Sequence, residues 1–164
     1  LKTLAGIHRS QGNYPEAERL FARTILLSEQ TFGKRHPDYA EAQNDLGSLY
    51  FSLGKHTQAL ERLEEAARVY EATIGTDNYN YALFTNNIAA SLNNLARFRE
   101  SEPLLRKALV PARKHAGERS ELVGLILTNF GYLYDCRAEY PRAAEYYAQS
   151  VAVYESAKGK NHPD

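Results

Sequence analysis

The sequence predicts an all-α solenoid built from four antiparallel helical hairpins. Three observations predict it. Laid against itself at an offset of 42 residues, the chain aligns without insertion or deletion across its 164 residues. Within each period, apolar residues recur every three to four positions, as Leu46, Leu49, Tyr50 and Leu53 do. That spacing belongs to amphipathic helices and not to strands. Glycine and proline then recur where such helices must turn, stop or begin.

The repeats fall at about 1–36, 37–78, 79–120 and 121–164, as parts of a single array. Each first helix carries a bulky residue followed by a small one: Leu4-Ala5, Leu46-Gly47, Ile88-Ala89 and Phe130-Gly131. In repeat one, Gly12 marks the turn between helices, where positive φ is wanted, and Pro15 opens the second helix, where its missing N–H costs nothing. In repeat two the first helix is predicted from about Asp38 to Leu53 and the second from about Thr57 to Ile74, with Gly54 between them. In repeat three Ala96 stands at the turn position, and in repeat four Ala138 does, with Pro141 matching Pro15. The small residues Ala17, Ala59, Ser101 and Ala143 let the two helices of each hairpin approach closely. Phe21, Leu63, Leu105 and Tyr147 follow at one equivalent position, and Gly33, Gly75, Gly117 and Gly159 terminate the second helices. Pro111 falls within the second helix of repeat three, where Leu27, Val69 and Val153 stand elsewhere. It removes one helix hydrogen bond and crowds the Lys107 carbonyl, so a kink is predicted there.

These landmarks resemble the tetratricopeptide repeat, and the 42-residue period resembles its kinesin-light-chain type. Asn86-Asn87-Ile88-Ala89 is similar to that type's LNNLA segment, and Gln11-Gly12-Asn13-Tyr14-Pro15-Glu16-Ala17-Glu18 to its QGxYxEAE segment. Phe32-Gly33-Lys34-Arg35-His36-Pro37-Asp38 is similar to its LGxxHPD linker. The resemblance covers essentially the whole chain and implies a right-handed superhelical array that binds protein. It also implies a residue role: the second Asn of LNNLA contacts peptide backbone in that type. Asn87 and Asn129 match it, whereas Asp45 and Thr3 depart.

Composition excludes several other classes. Twenty basic residues balance twenty acidic ones, so no overall field attracts nucleic acid or anionic lipid. One cysteine allows neither an internal disulfide nor a multi-thiolate zinc site, which suits a reducing compartment, and a cytoplasmic location is expected. The longest apolar run, Leu122-Val123-Gly124-Leu125-Ile126-Leu127, is far short of the roughly 20 residues that cross a bilayer. With no Met in the chain, a fragment or processed piece is expected.

Three features invite catalytic readings, and the repeat explains each. His36-Pro37-Asp38 is also the triplet of J-domain cochaperones, but here it returns as His162-Pro163-Asp164 three periods on. Asn78 and Ser120 occupy the equivalent of His36, which marks the histidines as helix-start residues. Cys136 aligns with Ser10, Ser52 and Asn94 and is expected on an open face. Glu61, Glu64 and Glu65 lie at helical spacing from Arg62 and Arg68, as on a solvated helix face. No nucleophile, base and orienting group converge, and neither an enzyme nor a cofactor is expected.

The expected site is the other face of the first helices. Phe84, Ile88, Leu92 and Leu95 make the packing stripe of repeat three, leaving Leu83, Asn86, Asn87, Ala90, Asn93 and Asn94 opposite. Repeat two offers Asn44, Asp45 and Ser48 on this face, and repeat four Leu125, Asn129, Tyr132 and Asp135. Asparagine is a poor helix former, so a cluster of four in one helix asks for a cause, and its amide can donate to and accept from an extended peptide. The competing cause is support of neighbouring repeats. Lys2 and Arg9 face Glu41, Asp45 and Asp135, so the basic clamp by which chaperone-binding members of the family hold a C-terminal carboxylate is absent. The predicted function is capture of an extended or short helical segment of another protein, an adaptor or scaffold role. Two alternatives are a regulatory repeat domain of a larger signalling protein or enzyme, and end-to-end self-association. For the latter, the apolar side of the last hairpin around Tyr147, Val151 and Tyr154 is expected to be open or covered by a neighbour.

Overall fold

The computed structural model describes residues 1–158. Gly159 and the second His-Pro-Asp triplet lie outside the described residues. The described residues form eight helices and no strand: α1 (Lys2–Ser10), α2 (Tyr14–Phe32), α3 (Pro37–Ser52), α4 (His56–Thr73), α5 (Tyr79–Asn94), α6 (Phe98–Ala116), α7 (Glu121–Cys136) and α8 (Tyr140–Lys158). They group into two compact units, one from Leu1 to Gly75 and one from Thr76 onward. In the first, α1 packs on α2, α3 on α4, and α2 on α3; in the second, α5 packs on α6, α7 on α8, and α6 and α5 on α7.

The first helices start as their sequences direct. His36 Nδ1 accepts from the Asp38 amide at 3.2 Å, Asn78 Oδ1 from the Tyr81 amide at 2.8 Å, and Ser120 Oγ from the Val123 amide at 3.3 Å. Each satisfies one amide that has no partner inside its helix. The His36 ring also stacks on Phe32, with centroids 4.5 Å apart, which gives this histidine a structural task at both ends.

The turns inside the hairpins share one geometry. The amides of Asn13, Lys55, Arg97 and Glu139 donate to the carbonyls of His8, Tyr50, Leu92 and Tyr134, closing each first helix around a residue of positive φ. In repeats three and four that residue is alanine, Ala96 at 56° and Ala138 at 59°. At the other end of the hairpin, Gly33 and Gly117 end α2 and α6 at φ 83°, ψ 166° and φ 90°, ψ 158°. That region is essentially closed to other residues, a stronger demand than the left-handed helix cap expected from the sequence. Helix α6 runs on through Pro103 and Pro111, and Pro111 is buried.

Small residues set how closely the paired helices lie. Ala17, Ala59, Ser101 and Ala143 are all buried, and Ser101 Oγ donates to the Ala89 carbonyl of the facing helix at 3.0 Å. A Cβ built on Gly131 would lie 2.5 Å from the Tyr147 ring, and one on Gly124 2.8 Å from the Tyr154 ring. Tyr147 and Tyr154 are therefore laid onto the α7 backbone and half-buried, so of the three residues expected on the open side only Val151 stands out, at 54% exposure. Its equivalent in α2, Ile25, is 8% exposed beneath the helix that follows it. The core of the second unit joins Leu105, Ala108, Leu122, Ile126, Phe130 and Leu133, with Tyr146 and Tyr147 packed against it. Each large side chain so buried contributes about 1.5–3 kcal/mol.

One polar contact recurs between neighbouring hairpins. Tyr50 donates to Glu18 Oε1 at 2.8 Å in the first unit, and Tyr134 donates to Glu102 Oε1 at 2.9 Å in the second. Arg106 and Arg137 also donate to Glu102, at 2.8 and 2.9 Å. Leu60 of α4 aligns with the two glutamates and Leu92 of α5 with the two tyrosines, and each leucine is buried.

Candidate functional site

In the second unit the face expected to bind is made by α5 and α7, and the structure divides its residues. Asn86 and Asn93 are 3% and 2% exposed, so these two lie buried and not on an open surface. The Asn129 amide donates to Asn86 Oδ1 at 2.8 Å, and the Asn93 amide to the Asn129 carbonyl at 3.0 Å. A three-residue clasp thus ties α5 to α7. Asn94 is exposed, but its amide donates to the Ala90 carbonyl at 2.9 Å. Leu83, Asn87 and Asn129 are half-buried, and Leu125, Tyr132 and Asp135 are exposed.

One exposed residue of α7 is large where its equivalents are small. Tyr132, 38% exposed, aligns with Gly6, Ser48 and the buried Ala90. Leu125, 39% exposed, lies two turns away on the same helix face. Hydrogen bonding to the Cys136 thiol, then burial, pushes the Tyr132 phenol above its usual range, and Asp135 adds to the same effect. Cys136 is exposed, as its column of small polar residues implied. Tyr147 joins this corner from α8, its phenol raised by burial and then by Asp135. The sequence reading placed Tyr147 with the apolar end of the hairpin; the available signal was that its column otherwise holds only Phe21, Leu63 and Leu105.

In the first unit the same row is largely closed. Asn44 is buried, and Asp45 and Ser48 are half-buried. Lys2 Nζ sits 3.2 Å from Asp45 Oδ2 and 3.3 Å from Glu41 Oε2, so one cation answers both carboxylates. The two partners differ in what they gain. Burial works to lower the Lys2 ammonium, and Asp45 and Glu41 together reverse it to a net rise. Burial also pushes the Asp45 carboxyl up, and Lys2 only partly offsets that.

The remaining groups behave as solvated helix surface. Glu65 pairs with Arg68 along α4. Among the described residues no group of three His, Cys, Asp or Glu side chains is placed to hold a metal ion, and no helix is long and apolar enough to cross a membrane.

Paired helices repeated with a 42-residue period, small residues at each crossing and a polar row along the first helices define a helical repeat protein. The chain belongs to the tetratricopeptide repeat family, whose profile matches residues 1–72 and 80–156. It is similar to the BtubC (BKLC) structure from P. vanneervenii, with a TM-score of 0.80 and 25% identity, over 93% of this chain and 60% of that one. It also resembles the nearly identical TPR-like repeats of a Podosopora anserina protein described as kinesin light chain. There the TM-score is 0.71 and the identity 18%, over 95% of this chain and 74% of that one. Among curated relatives, the clustered mitochondria protein homologs of Homo sapiens and Danio rerio are 26% and 27% identical over 162 residues. The alignment takes in 99% of this chain and 12% of each relative's length. The kinesin-light-chain type of repeat read from the sequence is thus the type of its structural neighbours, and these repeats are a protein-interaction scaffold.

Proposed function

We propose that the chain captures an extended or short helical segment of a partner protein on the α5–α7 face, as an adaptor in a cytoplasmic setting. One observation carries this reading. Tyr132 projects from α7 beside polar Asn129 where the other repeats place small residues, and Leu125 is exposed on the same helix face. Exposed aromatic and aliphatic anchors ringed by amides are what a bound segment needs, because interface energy concentrates in few large side chains. The polar neighbours supply partners for the segment's backbone.

The clasp sharpens the test. Asn129→Ala leaves the buried Asn86 Oδ1 without its donor and is expected to lower stability by about 1–3 kcal/mol, whatever it does to binding. Tyr132→Ala and Leu125→Ala remove exposed groups and are expected to leave the melting temperature nearly unchanged. Twelve-residue peptides selected from a displayed library against the 164-residue chain provide the ligand. Tyr132→Ala is expected to weaken the selected peptide by more than about 2 kcal/mol and Asn87→Ala by about 1 kcal/mol. Intact affinity in Tyr132→Ala, Leu125→Ala and Asn87→Ala together would remove this face from consideration.

A second reading has its own observation. Leu4 and Ile7 of α1 stand half-exposed although their equivalents Leu46 and Leu49 are buried, and Val151 of α8 is open where Ile25 is covered. Docking of α8 onto α1 of a second copy would repeat the α2–α3 contact and produce head-to-tail association. Concentration-dependent mass, lost in Val151→Asp, would support it over peptide capture.

A further inference from the structure

Four aromatic rings of this protein are supplied with a cation by the protein itself. Lys55 lies 5.4 Å from the Tyr50 ring centroid, Lys107 5.0 Å from that of Tyr81, and Arg106 5.7 Å from that of Phe130. Tyr134 has two, Arg137 at 5.7 Å and Arg142 at 5.5 Å. These distances fall within the roughly 6 Å at which a cation is drawn to the negative face of a ring. The corner formed by Tyr132, Asp135 and Tyr147 joins two rings to a carboxylate instead. Among the described residues no Lys or Arg stands over either ring or pairs with Asp135.

The nearby basic residue is committed elsewhere. Arg137 follows this corner in sequence, yet it donates to Glu102 at 2.9 Å, pairs with Glu139 at 2.7 Å and covers Tyr134. Tyr132 and Asp135 are three residues apart on α7, so they are neighbours on one helix surface. Tyr147 reaches them from α8, because its ring lies against the backbone at Gly131 and its phenol feels the Asp135 charge. A phenol ring, a carboxylate and a second phenol ring therefore meet at solvent with negative potential and no internal counter-charge.

From this we infer that the Tyr132–Asp135–Tyr147 corner is a subsite for a cationic side chain, Lys or Arg, of the captured segment. The inference rests on the α5–α7 reading above and adds the charge of the ligand to it. A cation entering the corner gains the ring faces and the carboxylate together, an arrangement that an acidic segment cannot use. Glu121 at the start of the same helix gives an acidic segment no better reception.

The test uses the full 164-residue chain and three N-acetylated, C-amidated hexapeptides of alternating Ala with Lys, Gln or Glu. Binding is followed by the NMR shifts of the tyrosine ring signals. The Lys peptide is expected to shift the Tyr132 and Tyr147 rings saturably, and the Gln and Glu peptides are expected to leave them in place. Asp135→Asn and Tyr132→Leu are each expected to weaken the Lys peptide roughly three- to fivefold. Added salt should weaken it too, because the ion pair is exposed. Asp135 makes no ion pair among the described residues, so unchanged thermal unfolding in Asp135→Asn separates lost recognition from lost fold. Rings unmoved by the Lys peptide, equal shifts with the Glu or Gln peptide, or indifference to Asp135→Asn would each overturn the inference. If library-selected peptides still depend on Tyr132 and Asn87 but show no preference for Lys or Arg, the capture reading stands and the cationic subsite alone falls.

Discussion

Four hairpin turns close with the same backbone bond but not with the same residue, and the difference can be measured. Ala96 and Ala138 hold φ of 56° and 59°, a conformation that costs an L-residue about 1–2 kcal/mol. Gly12 and Gly54 fill the equivalent positions at 76° and 71° without that cost. Replacing Ala96 or Ala138 by Gly relieves the strain but gives the unfolded chain more freedom, worth about 0.4–1 kcal/mol in the opposite direction. The net expectation is a stabilisation of about 0.5–1 kcal/mol per site, or roughly 1–4 °C in melting temperature for a chain of this length. Gly54→Ala is the reciprocal experiment. An added Cβ there meets nothing within 4 Å, so any loss reads backbone strain alone, and a fall of about 1 kcal/mol is expected. Urea unfolding followed by far-UV circular dichroism measures both, with midpoints compared at constant slope. A lowered midpoint for Ala96→Gly together with an unchanged one for Gly54→Ala would refute the reasoning.

Three further outcomes follow from the packing and the charges. Gly131→Ala brings a methyl within 2.5–2.9 Å of the base of the Tyr147 ring, so despite about 1 kcal/mol of gained helix propensity it is expected to lower the urea midpoint, by a net 1–2 kcal/mol. Glu102→Gln is expected to cost about 1–3 kcal/mol at neutral pH by weakening the Arg106, Tyr134 and Arg137 bonds. The Glu102 carboxyl is held below its ordinary 4.5, foremost by Arg106, so its contribution is complete above that value and disappears as pH falls below it; wild type should approach the variant's stability in acid. Asn78→Ala removes the 2.8 Å bond that starts α5 and is expected to lower the thermal midpoint by about 1 kcal/mol equivalent, whereas Asn78→Ser should restore most of it.

The fold was legible because the repeat states each boundary several times over. Ser120 and Asn78 identify His36 as a helix start, and Gly54 between Leu53 and Thr57 places the turn of repeat two within a residue of where it falls. Alanine in the left-handed region was less legible. Nothing in an alanine advertises positive φ, and only its alignment with Gly12 and Gly54 does so. The Glu–Tyr contacts between hairpins left a trace that spacing rules overlook. Their residues are 32 apart, and they show as a column in which Glu18 and Glu102 flank Leu60 while Tyr50 and Tyr134 flank Leu92. Position by position such columns read as surface charge and core; paired, the Glu and Tyr columns read as one polar contact that recurs.

The site was legible only to the width of a helix face. One residue along a helix turns the side chain by about 100°, and a first helix packed on neighbours from several sides has a narrow open strip. Asn86 and Asn87 are adjacent in sequence and both polar, yet one is buried in the clasp and the other is half-buried. Helical spacing could not separate them, because the partner that decides the matter, Asn129, stands 43 residues away on α7. The poor helix propensity of the asparagines was thus a sound sign that tertiary contacts were at work, and it was silent on whether those contacts lie inside the array or beyond it. Size is a separate signal. Tyr132 in a column of Gly6, Ser48 and Ala90 is a large side chain that the internal packing of the other repeats does without, and it is the one left facing solvent. In a periodic fold, a side chain that stacking does not require in three repeats and that the fourth leaves exposed is the one on which the capture proposal stands or falls.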